Sequence, residues 1–168
     1  MNDLPRQMVH FPIGDRLFNY RVAGIALRQG HVLICREDDD DYVMLPGGRV
    51  EMGEPSTLAL ERELAEELQS PATIGRLAYT VENFFRHEGR MVHELGAYYL
   101  IELPVDYPFR SGGVVRETED AGMRLQFEWI DLAGDGLAER HLRPRFMIEK
   151  LRRIPPVAEH VIFHEGHV

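Results

Sequence analysis

The residues best equipped for chemistry are three carboxylates, Glu63, Glu66 and Glu67, within the segment LPGGRVEMGEPSTLALERELAEELQ at residues 45–69. They fall at i, i+3 and i+4, offsets that make side chains near neighbours on a helix surface. Carboxylates that close repel one another unless a cation offsets them. Hard ions such as Mg²⁺ and Mn²⁺ take oxygen ligands, commonly a few carboxylates together with water and phosphate oxygens. Arg62 stands beside the group as a counter-charge able to hold one carboxylate in place. Gly47 and Gly48 lead into the segment, and a backbone without Cβ atoms can come close to a phosphate. A solvated acidic helix face is the plainer reading of such a cluster. It leaves the glycine pair unexplained. A divalent-metal site beside a phosphate-sized turn explains both.

Several elements must position these groups. Pro55 suits the first helical position, and residues 58–68 are good helix formers. At about 100° per residue, Leu58, Leu60, Leu64, Ala65 and Leu68 share one arc, with the three acids opposite. Glu61 intrudes on that arc. Upstream, residues 18–27 and 32–35 read as strands joined by a hairpin turn at residues 29–31. Residues 38–41 form an acidic, solvated loop without the alternating ligands and central glycine of a calcium loop. Residues 42–45 read as a short strand. Downstream, residues 72–85 and 91–103 read as a long strand pair joined through residues 86–90. Residues 104–122 are rich in proline, glycine and charge and read as a mobile loop. Residues 125–130 form a further strand. Residues 143–153 read as a second helix, with Pro144 near its start and Pro155-Pro156 beyond its end. Strands interspersed with helices imply mixed α/β layers. No repeat or linker interrupts them, so one domain over residues 1–168 is expected.

Gly48, Glu54, Arg62, Glu63, Leu64, Glu66 and Glu67 together are similar to the box of the Nudix hydrolase superfamily, G-x5-E-x7-R-E-U-x-E-E-x-G-U, where U is bulky and aliphatic. Every charged position matches in type and spacing. Gln69 and Ser70 depart from the pattern, at the end of the helix. The resemblance implies a Nudix-like α/β/α sandwich, with a mixed sheet between helices. It implies a metal-dependent hydrolase that cleaves the pyrophosphate bond of a nucleoside diphosphate linked to another group. Nucleotides, oxidised nucleotides and sugar nucleotides are the candidate substrates. Glu66 and Glu67 become the principal ligands of Mg²⁺, with Mn²⁺ as the alternative. Glu63 becomes a further ligand or the base that activates water, oriented by Arg62. The Gly47 carbonyl completes the coordination, and Glu54 supports the turn or holds metal through water. The family often recruits one more acid from a distal loop. Of Glu117, Glu119 and Asp120, Glu119 is the choice here.

Other residues are candidates to meet substrate. By the resemblance, Arg36, Arg49 and the backbone at Gly48 lie near the phosphates, although each arginine could equally be a surface residue. Glu82 and Glu94 interrupt apolar strands. An inward Glu94 would bind a substrate hydroxyl, and an exposed strand face is the plainer reading. Of Phe84, Phe85, Tyr98 and Tyr99, alternation sends some inward, where one could stack on a base and the rest would be core.

Composition narrows the partners. The formal charge is −9, which argues against an extended nucleic-acid footprint. It does not argue against nucleotides, because metal ions supply positive charge locally. The longest apolar stretches are strand-sized, short of the roughly 20 residues of a membrane helix. The N-terminus MNDLPRQMVHFPIG lacks the basic start and apolar centre of a signal peptide. Cys35 is the single cysteine, which excludes an intrachain disulfide and suits a small buried hydrophobe. A cytoplasmic protein acting on a small-molecule nucleotide is expected, with no membrane partner. The resemblance leaves a homodimer open. The three histidines of residues 157–168 read as part of a chain terminus rather than a metal site. A non-catalytic Nudix-fold module that binds a nucleotide for regulation is the alternative function. The complete set of box acids favours the enzyme.

Overall fold

The computed structural model describes residues 6–166. The first five residues, on which the reading of the N-terminus partly rests, and His167 lie outside the described residues. Alternation along the strands builds the rest, because two faces of one sheet are buried separately. The strands are β1 (His10–Ile13), β2 (Arg16–Arg28), β3 (His31–Glu37), β4 (Thr73–His87), β5 (Arg90–Glu102), β6 (Val114–Asp120), β7 (Met123–Asp131) and β8 (Glu159–His164). Their order is β6-β7-β3-β2-β5-β4-β8, with β1 alongside β2. The β2–β5 and β4–β8 pairs are parallel and the others antiparallel, so the sheet is mixed. Val22 and Ala26 of β2 pack with Leu60, Leu64 and Leu68 of α1 (Ser56–Leu68). Ala23 and Ile25 turn the other way, onto Leu137 of α2 (Gly136–Glu139) and Met147 and Leu151 of α3 (Met147–Arg152). The sheet therefore lies between helices, as the α/β/α expectation requires.

One departure from a regular sheet positions the site. β2 and β3 pair only at Leu27–Val32 and Arg28–His31, next to their hairpin turn. Beyond that point they diverge, and residues 44–50 fill the fork. On one side Cys35 N–H donates to Met44 O at 2.7 Å, and Met44 N–H returns to Cys35 O at 2.9 Å. On the other, Gly24 N–H reaches Pro46 O at 2.8 Å, Val22 N–H reaches Gly48 O at 2.9 Å, and Val50 N–H reaches Tyr20 O at 3.0 Å. Buried peptide groups need partners, and this segment supplies those of both diverging strands. The short strand expected at residues 42–45 is thus reduced to bridges, Met44 with Cys35 and Val43 with Leu142.

Other expectations need correction. The stretch 104–122 is not one loop, because it contains β6, paired with β7 through a turn at Ala121 and Gly122. The charges of β6 mask it in the sequence, since only Thr118 in it is buried. β8 lies within the stretch read as a terminus, and β1 and α2 were not anticipated. The second expected helix begins only at Met147. Pro55 is extended, at φ −61° and ψ 140°, and precedes the helix rather than opening it. The buried stripe of α1 is Ala59, Leu60, Glu63, Leu64, Glu67 and Leu68. Leu58, 53% exposed, and Ala65 lie outside it. Glu61 is exposed, so it does not intrude. Glu63 and Glu67 do not oppose the apolar arc; they form its edge.

Candidate active site

That edge is buried against the glycine pair. Gly47 has φ 139°, and a Cβ there would run into the backbone of Val22 and Ala23. A Cβ on Gly48 would land on the carboxylate of Glu63. The two glycines are therefore fixed by β2 and by Glu63, a closer constraint than the approach of a phosphate. Glu67 accepts a hydrogen bond from Gly47 N–H at 3.0 Å. The Gly47 carbonyl accepts one from Arg21 Nη2 at 3.2 Å. Both ends of α1 are tied as well. Ser56 Oγ lies 2.7 Å from the Tyr99 hydroxyl. At the far end, Thr118 Oγ1 donates to Glu67 O at 2.6 Å and Arg116 Nη1 to Leu68 O at 3.1 Å. Those two carbonyls lack intrahelical donors, so β6 closes the helix end. Gln69 then leaves the helix at φ 48°, the left-handed conformation that glycine adopts without penalty.

Arg62 organises the acids. Its Nε and Nη2 fork onto Glu54, each at 2.9 Å. Nη1 donates to Glu63 at 2.7 Å and to Glu66 at 3.4 Å. The bidentate pairing holds Glu54 below the usual carboxylate range and raises the Arg62 guanidinium. Glu66 is more open than Glu63 and also meets Arg6 at 3.4 Å. Glu67 behaves differently. Burial pushes its pKa up to about 8, and the neighbouring Glu63 and Glu37 add to the rise, against the pull of Arg21 and the Gly47 N–H.

Among the described residues no three acidic or imidazole side chains already converge on one point. The donors nevertheless suit a hard cation. Glu63 and Glu67 flank the Gly47-Gly48 bend, and every nearby donor is oxygen. A buried carboxylate short of positive charge is stabilised as the anion by a divalent ion at that bend. Glu66, more open, is held instead by Arg6 and by a long contact to Arg62.

The family is decided by a direct match: a model of the NUDIX domain fits residues 18–141. The chain belongs to the Nudix family. Arg62 and all three box acids lie within the matched residues. No curated protein matches the sequence. Solved structures share the fold. The ADP-ribose pyrophosphatase of Streptococcus suis is 14% identical with a TM-score of 0.53, covering 86% of this chain and 98% of that one. The MutT protein of Bacillus halodurans is 17% identical with a TM-score of 0.58, covering 87% and 89%. The E. coli ORF135 protein is 25% identical with a TM-score of 0.50, covering 84% and 91%.

Around the Nudix box the remaining candidates divide. Arg49 stays with the bend, its Nε donating to Asn19 Oδ1 at 3.0 Å and its carbonyl held by Arg62. Glu94 is buried at 7% exposed rather than lying on an open strand face, and accepts from Asn19 Nδ2 at 2.7 Å. Glu82 points to the opposite face, where it meets His160 at 2.9 Å. Arg36 folds onto the carbonyls of Asp40 and Tyr42 and braces the acidic loop. Glu119 is exposed on β6, one residue past the inward Thr118, so alternation turns it away from α1. Tyr98 is buried, whereas Phe84 stacks on His93 and His164 on the outer face. Arg21 and Asn19 were missed by sequence reasoning. Their signal was polarity at alternate positions of an otherwise apolar β2, the same signal that had singled out Glu94.

Proposed function

We propose that this Nudix protein uses Mg²⁺ or Mn²⁺ to hydrolyse the pyrophosphate link of a small nucleoside diphosphate joined to another group. The packing of Glu63 and Glu67 onto the Gly47-Gly48 bend is the observation that carries the reading. The bound ion would polarise phosphoryl oxygens, lower the pKa of attacking water and neutralise developing charge. Little covalent work remains for the protein, since phosphoryl transfer depends mainly on positioning and charge. Glu63, Glu66, Glu67 and the Gly47 carbonyl would hold the ion. Arg62 fixes the Glu63 carboxylate, the group best placed to take a proton from water. Arg49, exposed at the bend, would meet the phosphates. Arg21 keeps the Gly47 carbonyl in position from behind. The single thiol, Cys35, is buried and its pKa is raised by that burial; an unpaired cysteine suits a reducing compartment, and the cytoplasm is the proposed location.

The test is a screen of nucleoside triphosphates and nucleoside diphosphate derivatives with Mg²⁺ and with Mn²⁺, the released products being identified. Turnover that stops in excess chelator and yields a mononucleotide supports the reading. Binding without cleavage across the panel overturns it in favour of a regulatory module, and turnover indifferent to chelator overturns the metal role.

A further inference from the structure

Among the described residues the outer strands of the sheet are β1, β6 and β8, and they are not alike. β1 has four residues and carries Pro12. β6 holds Arg116, Glu117, Glu119 and Asp120 and is bulged between Val114 and Arg116. Short length, proline, charge and bulges are the usual means by which an edge strand is kept from pairing with another chain. Past Glu159, β8 has no proline, lysine, carboxylate or bulge. It reads EHVIFH, runs beside β4 in unbroken register from Tyr79–Glu159 to Phe84–His164, and shows Ile162 60% exposed near its middle.

The direction of its peptides limits what can pair with it. Glu165 N–H donates to Phe84 O at 2.9 Å. Strand peptides alternate sides, so Val161 and Phe163 also address β4, and the N–H and C=O groups of His160, Ile162 and His164 point outward. That outward set is symmetric about Ile162. A second β8 running antiparallel, related by a two-fold axis perpendicular to the sheet, sets Ile162 opposite Ile162 and His160 opposite His164. About six hydrogen bonds then satisfy every outward group. The same register sets Val161 against Phe163 on the face where Phe163 packs on Phe146, a β-branched and aromatic pair of the kind that stabilises adjacent strands. A register centred on Val161 instead leaves the His164 peptide opposite Ala158, outside the strand.

We propose that β8 is a dimerisation edge, joining two copies of this chain into one continuous sheet through an antiparallel pair centred on Ile162. The occupant is a second copy because the edge is complementary to itself, the property of a two-fold contact that uses one patch on both subunits. One strand a side is small beside the roughly 20–30 residues a side of a standard interface, so an affinity on the order of micromolar is expected.

Sedimentation velocity of the full chain, from about 1 to about 200 µM, should show monomer giving way to dimer as concentration rises. Ile162→Pro removes an outward N–H that β4 does not use, a change that edge strands tolerate. Ile162→Lys sets like charges across the axis. Each should weaken association at least about tenfold, and the melting temperature of the dilute protein should stay close to that of the wild type. The register is read by a crosslink. The Cα atoms of a hydrogen-bonded antiparallel pair lie about 5.5 Å apart, within disulfide reach. Ile162→Cys should therefore link into a dimer under oxidised glutathione, while the buried Cys35 stays free. His160→Cys should not, because its counterpart lies more than about 13 Å away along the strands. If Ile162→Pro fails to fold, Ile162→Lys and the crosslink carry the test. A monomer at every concentration overturns the proposal. So does a dimer whose affinity survives both the proline and the lysine, or a His160→Cys variant that links faster than Ile162→Cys.

Discussion

Two polar clusters, one on α1 and one across the sheet, are built on different length scales. Glu63, Glu66 and Glu67 come from a single helix within five positions, and Arg62 beside them holds two of the three. The row His10, Asn19, Glu94 and Asn83 comes from four strands, and the Asn19–Glu94 bond joins residues 75 positions apart. Helical spacing alone brings the first cluster together. Only strand register brings the second together. The helix cluster gathers negative charge that Arg62 offsets only in part. The sheet row is nearly self-satisfied, with Asn83 Oδ1 alone of its described atoms buried without a partner. One cluster is therefore legible in a short motif, and the other only once the strands are paired.

The comparison is broken most directly at the helix. Glu67→Gln or Glu66→Gln should slow turnover at least ~100-fold, about 2.7 kcal/mol of barrier. Steady-state rates near normal in both variants would take the helix out of the chemistry. Gly48→Ala puts a methyl where the Glu63 carboxylate lies. It should lower stability by about 1–3 kcal/mol through overpacking and reduce turnover as Glu63 is displaced; an unchanged melting temperature would show that Glu63 moves freely.

A pH series sharpens the difference between the clusters. Glu67 holds its proton to about pH 8 in the fold, against an ordinary value of 4.5. The folded state therefore binds the extra proton between those values, and metal-free stability should fall as pH rises through that window. Glu67→Gln removes the titration. At pH 8.5 it should be about 1–2 kcal/mol more stable than the metal-free wild type, with the gap closing near pH 5. Denaturation curves flat from pH 5 to 8 in the wild type would contradict the burial of that carboxylate. The smallest effect is expected at the helix end. Gln69→Gly relieves a left-handed residue at φ 48° and should add up to about 1 kcal/mol, read as a modest rise in melting temperature.

The α1 segment was legible because its signals are local. Long strands were legible for the same reason: residues 18–27 and 91–103 fall within β2 and very nearly within β5. β6 was not, because its sequence VVRETED shows its charges to solvent and its pairing depends on β7. The orientation of α1 was misread by part of a turn. A helical wheel treats glutamate as outward, whereas Glu63 and Glu67 are drawn in by a bend that no wheel contains. Arg36 illustrates the same limit: its type suggested phosphate, and its geometry gives it to the carbonyls of a neighbouring loop.

The fork between β2 and β3 has a mechanical meaning. Peptides of residues 44–50 stitch two strands that would otherwise be frayed edges, so the Gly47-Gly48 bend is a seam of the molecule and not an appendage on it. Opening it would undo the sheet and the seating of Glu63 and Glu67 together.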